Sequence, residues 1–241
     1  MATNLAGDVC IGQHSVCLLR VAALAADCSP AGGADSGIVS VGLVTLTATP
    51  DVQEGRVFEP VNGCGSPLWT YEEADVIKRY NLTGEIGYHD LEMKYLLFGG
   101  RLITGHASAS DFPNKTIGHA VPHFTDAATN GVYLEAIVRN VSAESGECSA
   151  DGEDVPYATG YIFGKAKLTP GDMTLESAEQ NVTFTGRATG NPSLYNGPWN
   201  DYPGSEYIPN SPKIEIQYSR AEYDAIAAVA RCGFQTLPAA S

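Results

Sequence analysis

Positive charge is scarce in this chain. Lys and Arg number 14 against 28 Asp and Glu, and charged residues of both signs occupy only 17% of 241 positions. A formal charge of −14 leaves no basic footprint for nucleic-acid binding and repels DNA brought close. No apolar run reaches bilayer-spanning length. Val16–Ala26 (VCLLRVAALAA) resembles a signal-peptide core, but nothing basic precedes it, Asp8 lies upstream and Arg20 interrupts it. The expectation is therefore a chain that stays in the cytoplasm where it is made, with no membrane partner.

Paired cysteine motifs are also missing. Cys10, Cys17, Cys28, Cys64, Cys148 and Cys232 are widely and irregularly spaced, with no C-x-x-C pair. That pattern argues against a zinc site and favours reduced thiols packed as small apolar groups. Four Asn-x-Ser/Thr sequons begin at Asn81, Asn114, Asn140 and Asn181. With 11 asparagines in a Ser/Thr-rich chain, chance supplies roughly two, so they do not argue for secretion.

A catalytic constellation is the third absence. Gly65-Ser66-Pro67 lacks the surroundings of a nucleophile elbow. His119 and His123 have the spacing of a helical metal pair, but Pro122 between them denies the helix. Glu72, Glu73 and Asp75 lack the ligand period of a calcium loop and read as a solvated strand entry. Gly32-Gly33 and Gly99-Gly100 are turn or cap glycines with no phosphate-loop lysine behind them. The residues imply no catalytic, cofactor or metal site, and the expectation is a non-enzyme without cofactors.

What the chain does have is strand pattern. Hydrophobic residues are 44% of it, enough for a real core. Ile38–Thr49 is apolar or β-branched at nearly every position and predicts one strand covered on both faces. Asp75–Gly87 alternates: Val76, Tyr80, Leu82 and Ile86 against Arg79, Asn81, Thr83 and Glu85. Val132–Val141, Tyr157–Leu168, Met173–Ala188 and Lys213–Tyr218 predict four more strands. Two helices are expected. His89–Phe98 places Leu91, Tyr95 and Phe98 on one face before Gly99-Gly100. Arg220 to about Cys232 starts from Ser219 with Glu222 completing a capping box, and carries Tyr223, Ile226, Ala227 and Ala230 on its apolar face. The class is mainly β (α+β), organised as one domain over residues 1–241.

Two stretches read as irregular. Residues 50–72 mix turn residues with Val57, Phe58, Leu68 and Trp69, and long loops with apolar side chains are usually functional. Residues 191–212 hold five prolines, Tyr195, Tyr202, Tyr207 and Trp199, as a flexible arm or an ordered excursion. Those aromatics could also form a sugar-stacking platform, which keeps a carbohydrate-binding module or a hydrolase open.

From Val41 to Gly100 the order of features carries a resemblance. A strand is followed by Glu54, Gly55, Phe58, Asn62, Gly63 and Gly65, then by Asp75, Ile77, Lys78 and Asn81 in a second strand, then by Leu91 and Gly99 in an acid-capped helix. This resembles the front half of the major tail proteins of long-tailed phages infecting actinobacteria, over about sixty residues and less closely over Val9–Arg20. A proline often follows the helix-opening aspartate in that family, whereas Leu91-Glu92 follow Asp90 here. The resemblance implies a tail-tube β-sandwich or barrel with a flanking helix, closing into hexameric rings that stack as a hollow virion tube. It implies partners that are further copies of the chain, the tape-measure protein and tail-terminator or tip proteins, with double-stranded DNA passing through unbound. Phe58, Asn62, Leu68 and Trp69 become candidates for the inter-ring contact, and Glu85 and Glu215 for an acidic lumen. A capsid-decorating or pilus-like component is the alternative assembly.

Overall fold

A computed structural model of the chain describes residues 11–88, 90–105, 112–123, 130–142, 156–172, 181–194, 197–199 and 210–238. The first strands are β1 (Ile11–Ala23), β2 (Gly33–Ser40), β3 (Leu43–Gln53), β4 (Val57–Phe58), β5 (Tyr71–Glu72) and β6 (Val76–Ile86). Helix α1 (Leu91–Phe98) precedes β7 (Arg101–Thr104), β8 (Thr116–Ala120), β9 (Val132–Ser142), β10 (Ala158–Pro170) and β11 (Val182–Thr189). The chain then forms β12 (Ile214–Tyr218), α2 (Arg220–Ala228) and β13 (Gln235–Leu237). The protein is mainly β, and one large antiparallel sheet runs in the order β13-β2-β1-β9-β10-β11-β6-β3, with β12 also on β10.

Near-opposite ends of that path meet in sequence. Only Val41 and Gly42 separate β2 from β3, so connectivity forces the twisted sheet to curl. Seven strands and α1 supply the enclosed core, including Leu19, Ile38, Leu82, Leu134, Phe163 and Phe184. The single strand expected over Ile38–Thr49 is therefore two. Ser40 Oγ accepts the Gly42 N–H at 3.0 Å, and a β-carbon at Gly42 would press the Tyr88 ring. A β-branched run hides this turn because the pattern on either side of it is the same.

β1, β9 and β10 are buried on both faces. Leu19 and Val21 enter the enclosed core, while Leu18 and Ala22 pack on the reverse face. α2 and the turn that follows it cover that reverse face through Tyr223, Ile226, Ala227 and Ala230, the four residues the spacing predicts. The bulge between Phe163 and Ala166 in β10 resets side-chain parity, so that Phe163, Ala166 and Leu168 all reach the enclosed core.

α1 starts two residues later than expected. Asp90 is its N-cap, accepting the N–H groups of Glu92 and Met93 at 2.9 and 3.3 Å. Its buried residues are Met93, Leu96, Leu97 and Phe98; Leu91 and Tyr95 are only partly buried. The predicted face is thus corrected toward Met93, because the helix lies in the mouth of a curled sheet and is covered on more than one side. The other Asp90 oxygen accepts Gly233 N–H at 2.9 Å, and Glu92 accepts Phe234 N–H at 2.7 Å, which fastens the segment before β13 to the helix start. α2 has the full Ser219/Glu222 capping box but ends at Val229, short of Cys232. β11 covers the second half of the strand predicted over Met173–Ala188; residues 173–180 lie outside the described residues. The cysteines among the described residues, Cys17, Cys28, Cys64 and Cys232, carry no disulfide, and no described helix is long and apolar enough to cross a membrane.

Candidate functional site: an acidic hairpin arm

β3 and β6 pair along their whole length, from Leu43↔Ile86 to Gln53↔Val76. The pairing resumes beyond them in β4 and β5, with Val57↔Glu72 and Phe58↔Tyr71. The stretch expected to be an irregular loop is therefore the outer part of one long hairpin. Its backbone satisfies itself, which lets it project without a supporting body.

Three local devices hold it straight. Arg79 Nε and Asp51 Oδ2 meet at 2.5 Å across the base. Gly55 lies so close to the return strand that a β-carbon there would stand 1.7 Å from the Glu73 carbonyl oxygen. The Gly55 N–H donates to Asp75 Oδ1 at 2.8 Å, and Glu73 N–H donates to the Arg56 carbonyl at 3.0 Å. At the tip, Asn62 Oδ1 accepts the N–H groups of Cys64 and Ser66 at 2.9 and 3.0 Å. The backbone carbonyl of Asn62 accepts from Gly65, whose φ of +80° suits a residue without a β-carbon. Asn62 is thus the organiser of the tip, with its side chain turned to its own backbone.

The apolar side chains of the arm find no cover among the described residues. Phe58 is 43% exposed, Leu68 62% and Trp69 57%, and Val57, Val61 and Tyr71 are exposed as well. Patches of this kind on an ordered element mark contact surfaces. Five acids, Glu54, Glu59, Glu72, Glu73 and Asp75, accompany them against the single Arg56. The register sets Val57 on the side of Glu72, and Phe58 beside Tyr71 on the other, with ring centroids 6.2 Å apart.

The solvent face of β3, β6, β11 and β10 has the opposite character. Leu82, Phe184, Ala188 and Leu168 point into the enclosed core, so the alternate positions point out. These are threonines over much of the face and cations at one end. Arg79, Lys165, Lys167 and Arg187 line a groove of about 730 Å³ with Thr169 and Thr185. Glu85 stands at the far end of the same face, accepting from Asn181 Nδ2 at 2.6 Å. Glu215 lies opposite Tyr161 and pairs with Lys213 at 2.7 Å. Tyr161 packs toward the enclosed core, so Glu215 is on the other face of the sheet from Glu85. The structure brings Phe58, Asn62, Leu68 and Trp69 together on one arm, and holds the two glutamates apart.

One constellation escaped sequence reasoning. Arg20 and Glu135, 1% and 0% exposed, lie opposite each other on β1 and β9 with Nη1 and Oε2 at 3.1 Å. Tyr133 and Tyr218 donate to the two carboxylate oxygens at 2.7 and 2.5 Å, and Trp199 lies 4.0 Å from the guanidinium. The signal was an arginine inside an otherwise apolar run, whose partner sits 115 residues away and announces nothing locally. Trp199 is used inward here; Tyr195, Tyr202 and Tyr207 lie outside the described residues. His119 Nε2 is 2.7 Å from the Gly99 carbonyl and serves the α1–β8 packing. Among the described residues, no three His, Cys, Asp or Glu side chains gather to hold a metal ion. No protein-family model matches the chain, and no curated protein matches it.

Proposed function

We propose that this chain is a structural virion protein that assembles with copies of itself into stacked, six-membered rings, forming the tail tube of a long-tailed phage. The observation that carries the reading is the arm. A self-bonded hairpin with Phe58, Leu68 and Trp69 exposed at once presents an apolar surface suited to contact with another molecule. Rings of this kind use head-to-tail contacts, in which one patch meets a different patch on the next copy.

In this reading the arm crosses to a neighbouring ring, with Asn62 keeping the tip in shape. The tube also meets the tape-measure protein and the terminator or tip proteins at its ends, and DNA passes through without specific contacts. The overall charge of −14 favours such passage through repulsion. Glu85 shares its face with four cations, and Glu215 is neutralised by Lys213. Glu85 and Glu215 stand on different faces of the sheet and are separate candidates for the acidic wall of the bore. A capsid-decorating or pilus-like component would use the same arm, and architecture in the microscope separates it from a tube. Against a sugar-binding module stands Trp199, whose ring is taken by Arg20.

Negative-stain microscopy of the concentrated, purified chain tests the proposal. Rings or tubes with a central channel are expected. A chain that stays monomeric at every concentration would retire it.

A further inference from the structure

We infer that the cationic groove of β6, β10 and β11 is the seat for the acidic arm of a second copy of this chain, an inference that rests on the self-assembly reading above. The groove and the arm are each incomplete alone. In the groove, Lys167 and Arg187 occupy directly opposed positions in the ladder, and like charges so placed repel. Among the described residues neither has a carboxylate within ion-pairing distance; the ion pair at the groove edge is Arg79 with Asp51. An anion between Lys167 and Arg187 removes that repulsion.

The arm offers the matching anions on one side. Glu72 shares a face with Val57 by register. Glu59, two residues further along, joins that face and accepts from Thr70 at 3.3 Å. Glu59 and Glu72 therefore project together from one side of a narrow hairpin, while Phe58 and Tyr71 occupy the other. A chain with twice as many acids as bases nonetheless collects four of its cations in one groove, which is where an acidic peptide edge is held most strongly.

The occupant is a second copy because the arm cannot reach its own groove. The β3–β6 ladder continues outward past Arg79 to Gln53↔Val76, and the Gly55–Asp75 and Glu73–Arg56 bonds keep the hairpin running away from the sheet. Folding back would break that ladder. Duplex DNA is the poorer occupant, since a chain of net charge −14 repels it.

Charge reversal tests this on the full-length chain. The groove variant carries Lys167→Glu and Arg187→Glu, and the arm variant Glu59→Lys and Glu72→Lys. All four positions are exposed or line the open groove, and circular dichroism checks that each variant is folded. Sedimentation velocity and negative stain read assembly. Each variant alone is expected to need at least about tenfold more protein to associate, and an equimolar mixture of the two recovers association. Wild-type association weakens between about 50 mM and about 500 mM salt.

If wild type forms rings or tubes that groove reversal leaves intact, the inference falls and the tube reading stands. If wild type forms only closed dimers that groove reversal dissolves and mixing restores, the inference stands and the tube reading falls. A wild type monomeric throughout overturns both. A groove that binds a labelled DNA duplex through Lys167 and Arg187 while assembly ignores them also overturns the inference, in favour of a nucleic-acid partner.

Discussion

β9 and the arm share one backbone conformation and live in opposite surroundings. From Val132 to Val138 every residue of β9 is buried, with β1 bonded on one side and β10 on the other. From Val61 to Asp75 every arm residue is exposed. Strand geometry is thus indifferent to burial, provided the backbone groups are paired. The consequence is a division of labour: removing atoms from β9 or its neighbours attacks the fold, and removing them from the arm attacks only what the fold presents.

The largest effect should come from the buried ion pair. Glu135→Gln removes the carboxylate that faces Arg20 at 1% exposure and is expected to cost about 3–5 kcal/mol in urea unfolding. The double variant Arg20→Met, Glu135→Leu should recover most of that loss. An unchanged single variant would mean that the pair contributes nothing.

Gly160→Ala follows. A β-carbon there would stand 2.5 Å from Glu135 Oε1 and 2.7 Å from Tyr218 Cε2, so the carboxylate and its tyrosine must shift. The expected cost is about 1–3 kcal/mol, read from the same unfolding curves. A neutral result would show that the polar cluster is looser than its distances indicate.

On the arm the same measurements should hardly move. Trp69→Ala is expected to change global stability by less than about 0.5 kcal/mol, while lowering the fraction of assembled chain in sedimentation. A large loss of stability would place Trp69 against its own chain and erase the contrast. Asn62→Ala removes the acceptor for two tip amides. Hydrogen exchange at Cys64 and Ser66 should quicken while amides of β9 keep their protection.

The smallest effect concerns α2. Burial, followed by the nearby Cys17, pushes the Tyr223 phenol from its ordinary 10.0 up to about 12. Because the folded chain then holds that proton more tightly, the neutral phenol stabilises the fold fully below pH 10, and this contribution is lost as pH rises from 10 towards about 12. Tyrosinate absorbance should contain one late-titrating component that Tyr223→Phe removes. Its survival in that variant would assign it elsewhere.

The elements that could be read from sequence are those with strand alternation, β-branched runs or a capping box, and they include β9 and β10, which are largely buried on both faces. β6 and β12 alternate and were recognised; α2 follows its capping box and its four-residue apolar stripe. β1 is not among the predicted strands, since Leu and Ala dominate Val16–Ala26 and it lacks the β-branched and aromatic enrichment that marks β9 and β10. The small β7–β8 hairpin was also missed. Phe58, Leu68 and Trp69 stand out in the sequence as apolar residues among turn residues, and only the resemblance makes them assembly candidates. The hairpin that carries them does not stand out, since β4 and β5 are two residues each and depend on pairing rather than on pattern.

Composition and local spacing by themselves determined the β class, the acid surplus, the start of α2 and the identity of the exposed apolar segment. These depend on neighbours a few residues apart. Only the tertiary structure decided that Arg20 meets Glu135, that Glu85 and Glu215 part company, and that Arg79, Lys165, Lys167 and Arg187 share a groove. Those outcomes rest on the register between strands distant in sequence, where a shift of one residue sends a side chain to the other face.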